Sequence, residues 1–234
     1  ARASTLAVPG GDELQAFWWG GSRESGPDVQ VFASLWSNGR WGEPKAIVSR
    51  DSLAAALGFA VRRIGNPSAW VARDGKTNLF VVATGLGGWA ASRVVHLVSD
   101  DRGENFQVRR VLPLSPLFNT SVLVRTTPIG LADGGWWLPL HFELGHKYPM
   151  VMSFDPVGQP RGLARIGEST TALQPAMVAV SDREIRAWMR DIGEQRRVQQ
   201  AVSRNGGGSW EELPAMDIEH NAQGIGVWLD KEKS

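Results

Sequence analysis

The sequence predicts an all-β fold, and three observations carry that expectation. Gly (27) and Pro (13) are spread along the 234 residues, 11 Trp and 8 Phe stand against a single Tyr, and short apolar runs alternate without a helical period. Gly and Pro punctuate turns, while large aromatic side chains suit pleated surfaces. The strand-like runs are residues 29–33, 78–84, 93–98, 121–126, 136–142, 150–154, 176–180, 184–189, 197–202 and 225–229. One short helix is expected over residues 53–61, capped by Asp51 and Ser52, after which Pro67 requires extended backbone. No linker or low-complexity stretch divides the chain, so a single all-β domain over residues 1–234 is expected.

Charge and composition exclude several classes of function. Lys and Arg total 25 against 24 Asp and Glu, and a formal charge of +1 offers no general attraction for nucleic acid. The longest apolar runs, 53–57 and 79–83, fall far short of the roughly 20 residues that span a bilayer, so no membrane span is predicted. Without Cys there are no disulfides, thiolate metal sites or Cys nucleophiles. No cofactor or metal is expected, and any anion that binds must be held locally.

An internal repeat organises the chain. Ser99-Asp100-Asp101-Arg102-Gly103-Glu104-Asn105-Phe106 and Ser203-Arg204-Asn205-Gly206-Gly207-Gly208-Ser209-Trp210 share the pattern Ser-x-Asp/Asn-x-Gly-x-x-Trp/Phe. Degraded copies stand at Ser34 with Trp41 and at Ser153-Phe154-Asp155 with Gly158, so the marks recur every 50 to 65 residues or so. Such a motif reads as a hairpin turn: Ser and Asp side chains bond nearby backbone N–H groups, Gly takes a positive φ, and the aromatic packs on the sheet. One mark in roughly 50 residues matches a four-stranded antiparallel blade, and the expected fold is therefore a β-propeller. The pattern resembles the Asp box, or bacterial neuraminidase repeat, which speaks for fold and not for chemistry.

A second resemblance bears on function. Arg2-Ala3-Ser4-Thr5-Leu6, Pro9 to Leu14, and Ala16-Phe17-Trp18-Trp19-Gly20-Gly21-Ser22-Arg23-Glu24 with Asp28 are similar to the opening of the sialidase superfamily. Leu173-Gln174-Pro175-Ala176-Met177-Val178 with Met189-Arg190 resemble its fourth blade, and Gly65-Asn66-Pro67, residues 115–119 and Leu138-Pro139-Leu140 are also like its sparsely characterised bacterial members. The resemblance implies a six-bladed propeller, of which this chain is expected to lack the last blade or blades. It implies a glycosidase acting on a terminal acidic sugar, with a secreted or periplasmic location expected over a cytoplasmic one. Arg2, Arg23 and Arg190 fall at carboxylate-binding positions, where guanidinium groups offer planar paired donors. Asp28 falls at the acid/base position, with Glu24 a competing acid.

Departures keep a second reading open. Where the family places the Glu that activates its Tyr nucleophile, this chain has Gln174, and an amide is no base. The only Tyr, Tyr148, lies mid-chain, and no third Arg follows Gly224. A non-hydrolytic propeller that binds an acidic glycan, or a differently catalytic sialidase-like protein, is the alternative.

Three further groups call for a reading. Gly85-Leu86-Gly87-Gly88 imitates a dinucleotide fingerprint, but the following residues alternate as a strand, so a Gly-rich loop is expected. His141 and Glu143 end a strand and read as polar groups of a pocket, although with His146 they could also be metal ligands. Trp18 and Trp19 fall on opposite faces of a strand, so one belongs to the core while the other, assigned as Trp19, can stack on a sugar.

Overall fold

The computed structural model describes residues 4–114, 120–194, 196–219 and 225–228. They form two compact units, residues 1–127 and 128–234, whose strands pair antiparallel within each sheet.

In the first unit, Ser4–Gly10 (β1), Glu13–Gly20 (β2), Gln30–Ser37 (β3) and Arg40–Trp41 (β4) pair in that order, with Lys45–Ser49 (β5) also on β3. Arg63–Val71 (β6), Thr77–Thr84 (β7), Ser92–Ser99 (β8) and Gln107–Val111 (β9) make the second sheet, and Val122–Val124 (β10) follows. The period of two sends Ala7, Phe17, Trp19, Val31 and Ala33 to one face, where they pack with Ile64, Ala69, Leu79, Val81, Val95 and Leu97 of the second sheet. Every residue of β7 is buried, which explains its nearly continuous apolar run. Thr5 Oγ1 receives the Ala69 N–H at 3.4 Å, tying the first strands of the two sheets together.

The helix spans Arg50–Leu57 (α1), earlier than expected, and its cap is Ser49 rather than Asp51 or Ser52. Ser49 Oγ accepts from the Ser52 N–H and Ser52 Oγ from the Ser49 N–H, both at 3.0 Å, a reciprocal capping box. Gly58, at φ 73°, ends it.

In the second unit, Ile129–Gly130 (β11), Trp136–Phe142 (β12), Tyr148–Phe154 (β13) and Pro160–Arg165 (β14) form one sheet, and Ala172–Ala179 (β15), Ile185–Asp191 (β16), Gln199–Ser203 (β17) and Glu211–Leu213 (β18) another. Trp137 and Val151 pack with Met177, Ile185, Ala187, Met189 and Ala201. Residues 225–228, expected to be a strand, have none, and Leu229 lies outside the described residues. Gly88–Ala91, within the expected Gly-rich loop, closes one turn of 3-10 helix.

The repeated motifs form the hairpin turns joining β8 to β9 and β17 to β18. Ser99 Oγ receives the Gly103 N–H at 2.7 Å, while Asp101 Oδ1 receives the Asn105 N–H at 2.9 Å. In the second copy Ser203 Oγ receives the Gly207 N–H at 2.7 Å and Asn205 Oδ1 the Ser209 N–H at 2.9 Å. Asn thus replaces Asp without loss of the key acceptor. In the degraded copy, Asp155 Oδ1 still receives the Val157 and Gln159 N–H groups at 3.0 and 2.7 Å.

Candidate functional site

The first unit holds one group of the expected site residues. Arg2 lies outside the described residues. Arg23, Glu24 and Asp28 occupy the loop between β2 and β3 and are exposed. Asp28 closes this loop on itself, its Oδ2 receiving the Ser22 N–H at 2.7 Å and its Oδ1 the Ser22 hydroxyl at 3.0 Å. These two bonds, with the nearby Arg23 charge, hold the Asp28 carboxyl below its usual range. Asp28 is therefore ionised at neutral pH, and as placed it anchors a turn. Trp19, assigned above to sugar stacking, is instead the core tryptophan. Trp18 is the half-buried one, and its ring stacks on Phe32 with centroids 6.1 Å apart.

A denser cluster stands in the second unit, where β12 delivers His141 and Glu143 and the β15–β16 pair delivers Gln174 and Arg190. His141 is 1% exposed, and its Nε2 lies 3.1 Å from Glu143 Oε1. The His141 hydrogen bond is the main cause of a lowered Glu143 pKa, with the charges of His141, Lys147 and Arg190 adding to it against the cost of burial. An ionised carboxylate only accepts, so Nε2 carries the proton and donates. Among the described residues the buried His141 Nδ1 has no hydrogen-bond partner. Among the described residues no group of three His, Cys, Asp or Glu side chains could hold a metal ion, and His146 does not join the pair.

Gln174 sits in a bulge of β15. Leu173 pairs with Arg190 and Ala176 with Trp188, leaving Gln174 and Pro175 out of the ladder. Gln174 takes φ 53°, a left-handed conformation uncommon for a residue with a side chain. Among the described residues neither its buried Oε1 nor the buried Nε of Arg190 has a hydrogen-bond partner. The backbone device is architectural, because β6 repeats it: Asn66 at φ 46° precedes Pro67 in a bulge between Gly65 and Ser68. Val82, opposite Gly65, stands where Arg190 stands opposite Leu173. The Arg across from the bulge is a feature of the copy in the second unit.

Tyr148 starts β13 beside Phe142, stacked on that ring at 5.0 Å with the Arg165 guanidinium 4.9 Å from its own. His141, the neighbour of Phe142, faces the other side of the sheet. The one tyrosine is thus committed to packing. Sequence reading missed Lys147 and Ser22. A base four residues after Glu143 and a hydroxyl six before Asp28 were signals for both, but only chain reversal turns such spacings into contacts.

Antiparallel blades with hairpin marks and a half-buried Arg beside a strand bulge define a sialidase-like β-propeller. The chain belongs to the BNR repeat-like domain family, which it matches over residues 12–230. No curated protein matches it in sequence. Among solved structures it is similar to the Hadza microbial sialidase Hz136, at 14% identity and a TM-score of 0.73 over 92% of this chain and 47% of that one. It is also similar to the intramolecular trans-sialidase from Ruminococcus gnavus, solved in complex with oseltamivir carboxylate, at 12% identity and a TM-score of 0.70 over 93% and 71% of the two chains. An exo-β-1,3-galactanase from Clostridium thermocellum aligns at 12% identity and a TM-score of 0.69, over 94% of this chain and 49% of that one. At such identities the likeness establishes a fold shared by sialidases and other glycosidases. The chain spans about half the length of the Hadza sialidase. Among the described residues no helix is long and apolar enough to cross a membrane.

Proposed function

We propose that this chain is a sialidase-like glycoside hydrolase module that takes the terminal acidic sugar of a glycan, sialic acid or a close relative, with Arg190 receiving the sugar carboxylate. The observation that carries this reading is the Arg190 guanidinium, whose buried Nε has no partner, set within reach of the field of Glu143. A buried donor left unmade costs about 1–3 kcal/mol, and a carboxylate satisfies it with a charge-assisted bond. Glu143 feels the charges of both Lys147 and Arg190, so its carboxylate opposes an incoming anion while Lys147 favours it. In this reading the hairpin turns at Ser99 and Ser203 are Asp boxes.

A second reading, a non-hydrolytic acidic-glycan binder, is favoured by two observations. Gln174 cannot take a proton as a base, and Tyr148 is stacked between Phe142 and Arg165. Without an activated nucleophile a retaining pathway lacks its covalent step. The 234-residue chain is accordingly expected to bind N-acetylneuraminic acid weakly and to turn over an aryl sialoside little or not at all. A nuclear magnetic resonance titration with this sugar, repeated with Arg190→Ala and at two salt concentrations, tests the carboxylate site: affinity falls with the substitution and with salt. Binding untouched by Arg190→Ala refutes the reading. Robust turnover abolished by Asp28→Ala refutes the non-hydrolytic alternative.

A further inference from the structure

Independently of any bound sugar, the structure assigns a site of self-modification: Asn38 is where this chain deamidates, by attack of the Gly39 amide nitrogen on the Asn38 carboxamide. The sequence holds Asn-Gly twice, at Asn38-Gly39 and at Asn205-Gly206. In both, the missing Cβ of Gly leaves the next backbone nitrogen free to approach Cγ of the Asn. The Gly39 N–H proton passes to hydroxide and the nitrogen forms a bond to Asn38 Cγ. The Cγ–Nδ2 bond breaks, and the nitrogen leaves as ammonia after taking a proton from water. Water then opens the five-membered imide at one of its two carbonyl carbons, giving aspartate or an isoaspartate whose main chain runs through Cβ and Cγ.

The two turns treat the same dipeptide differently. Asn38 and Gly39 join β3 to β4: Ser37 pairs with Arg40, and the φ values of 51° and 76° are those of a type I′ hairpin. Both residues are exposed, and a Cβ at Gly39 would meet nothing within 4 Å. Because β4 is only two residues long, opening the turn far enough to bring the Gly39 nitrogen onto Cγ breaks few ladder bonds. Asn205 is held instead. Its Oδ1 accepts from the Ser203 hydroxyl and the Ser209 N–H, and its Nδ2 donates to Ser209 Oγ, all at 2.9 Å. The Gly206 N–H, the nucleophile there, donates to the Arg183 carbonyl at 2.8 Å. Reaction at Asn205 requires these bonds to break first. At Asn38 the two products also differ in effect. Aspartate keeps an Asp-Gly pair that suits the same turn. Isoaspartate adds a main-chain carbon, which takes Trp41 out of register with Trp36, the ring it meets at 5.6 Å.

The test incubates the full chain at mildly alkaline pH, both folded and in denaturant, and follows the peptides carrying Asn38 and Asn205 by mass spectrometry. In denaturant the two sites should react at similar rates, because the structural difference is gone. In the folded chain Asn38 should react at least about tenfold faster than Asn205, since one or two net hydrogen bonds broken on opening are worth about that factor. Gly39→Ala, assayed in denaturant where its backbone strain plays no part, should slow reaction at Asn38 and leave Asn205 unchanged. Trypsin should cut after Arg40 faster in aged chains that carry isoaspartate than in fresh ones. Equal rates at the two sites in the folded chain overturn the assignment. So does an Asn38 that stays intact in the folded chain over the time in which the denatured chain reacts.

Discussion

Replacing Gly207 with Ala tests how the hairpin turns are built into the sheets. A Cβ at Gly207 would lie 1.6 Å from the Trp137 ring, and the backbone there has φ +91°. Trp137 is 6% exposed and packs against Trp210 with ring centroids 6.2 Å apart, so it has little room to retreat. Forcing an L side chain into a left-handed conformation costs about 1–2 kcal/mol. Overpacking a filled site costs about 1–3 kcal/mol more. The sum, about 2–5 kcal/mol, corresponds to a fall in Tm of about 5–15 °C for a chain of this size. Gly206→Ala is the control: its φ is +66°, but its Cβ would meet only the Asp182 carbonyl at 3.4 Å, so it carries the backbone cost without the clash. Thermal denaturation followed by tryptophan fluorescence measures both. Equal destabilisation by the two substitutions would refute the argument that the Trp137 ring makes this glycine obligatory. If the clash is the cause, Trp137→Leu should recover part of the loss caused by Gly207→Ala.

Other outcomes follow from the same structure. The Asp101 carboxyl is held at about 2 by the Ser99 hydroxyl and by Asn105, below its ordinary 3.8. Its stabilising bonds are fully present above the unfolded value and disappear as pH falls to about 2, so the stability difference between the unaltered chain and Asp101→Asn should shrink over that window in acid denaturation curves. His96, 0% exposed, has its pKa pushed down to about 3 by burial and by Arg109 and Arg110. The unfolded chain then binds the proton first, and stability falls as pH drops from about 6.5 towards about 3; His96→Gln should flatten that slope of ΔG against pH, and an unchanged slope would contradict it. Ser49→Ala removes one half of the capping box and should cost about 1 kcal/mol in chemical denaturation, against little for Asp51→Ala. Ser22→Ala should raise the Asp28 pKa in a resonance titration, because both direct bonds to that carboxylate come from Ser22 and the hydroxyl one is lost.

Turns and strands were legible along the chain because their causes act over a few residues. Ser99, Asp101 and Gly103 bond within their own octet, and the pattern is recognisable without knowing what lies beneath it. The reciprocal Ser49–Ser52 bonds are equally local, and the helix start was misread only because three candidate caps stand within four residues. No strand-like run was read for β1, β4, β5, β6, β9, β11, β14 or β18. Several lie at sheet edges, where one neighbour suffices and apolar alternation weakens.

The sequence by itself determined that β2 presents one tryptophan to each face, since alternation is a property of the strand. Which of Trp18 and Trp19 is core depends on which face meets the second sheet, and only packing decided for Trp19. The site followed the same division. Gln174, Arg190, His141 and Glu143 could be singled out as residue types, and the resemblance supplied the reason to look at Arg190. Strand register, the bulge after Leu173 and the turn after Phe142 then determined which polar atoms have partners and which remain unsatisfied. The physical reason is that hydrogen-bond satisfaction is a property of surroundings assembled from distant segments, whereas turn chemistry and strand period are carried by the segment itself.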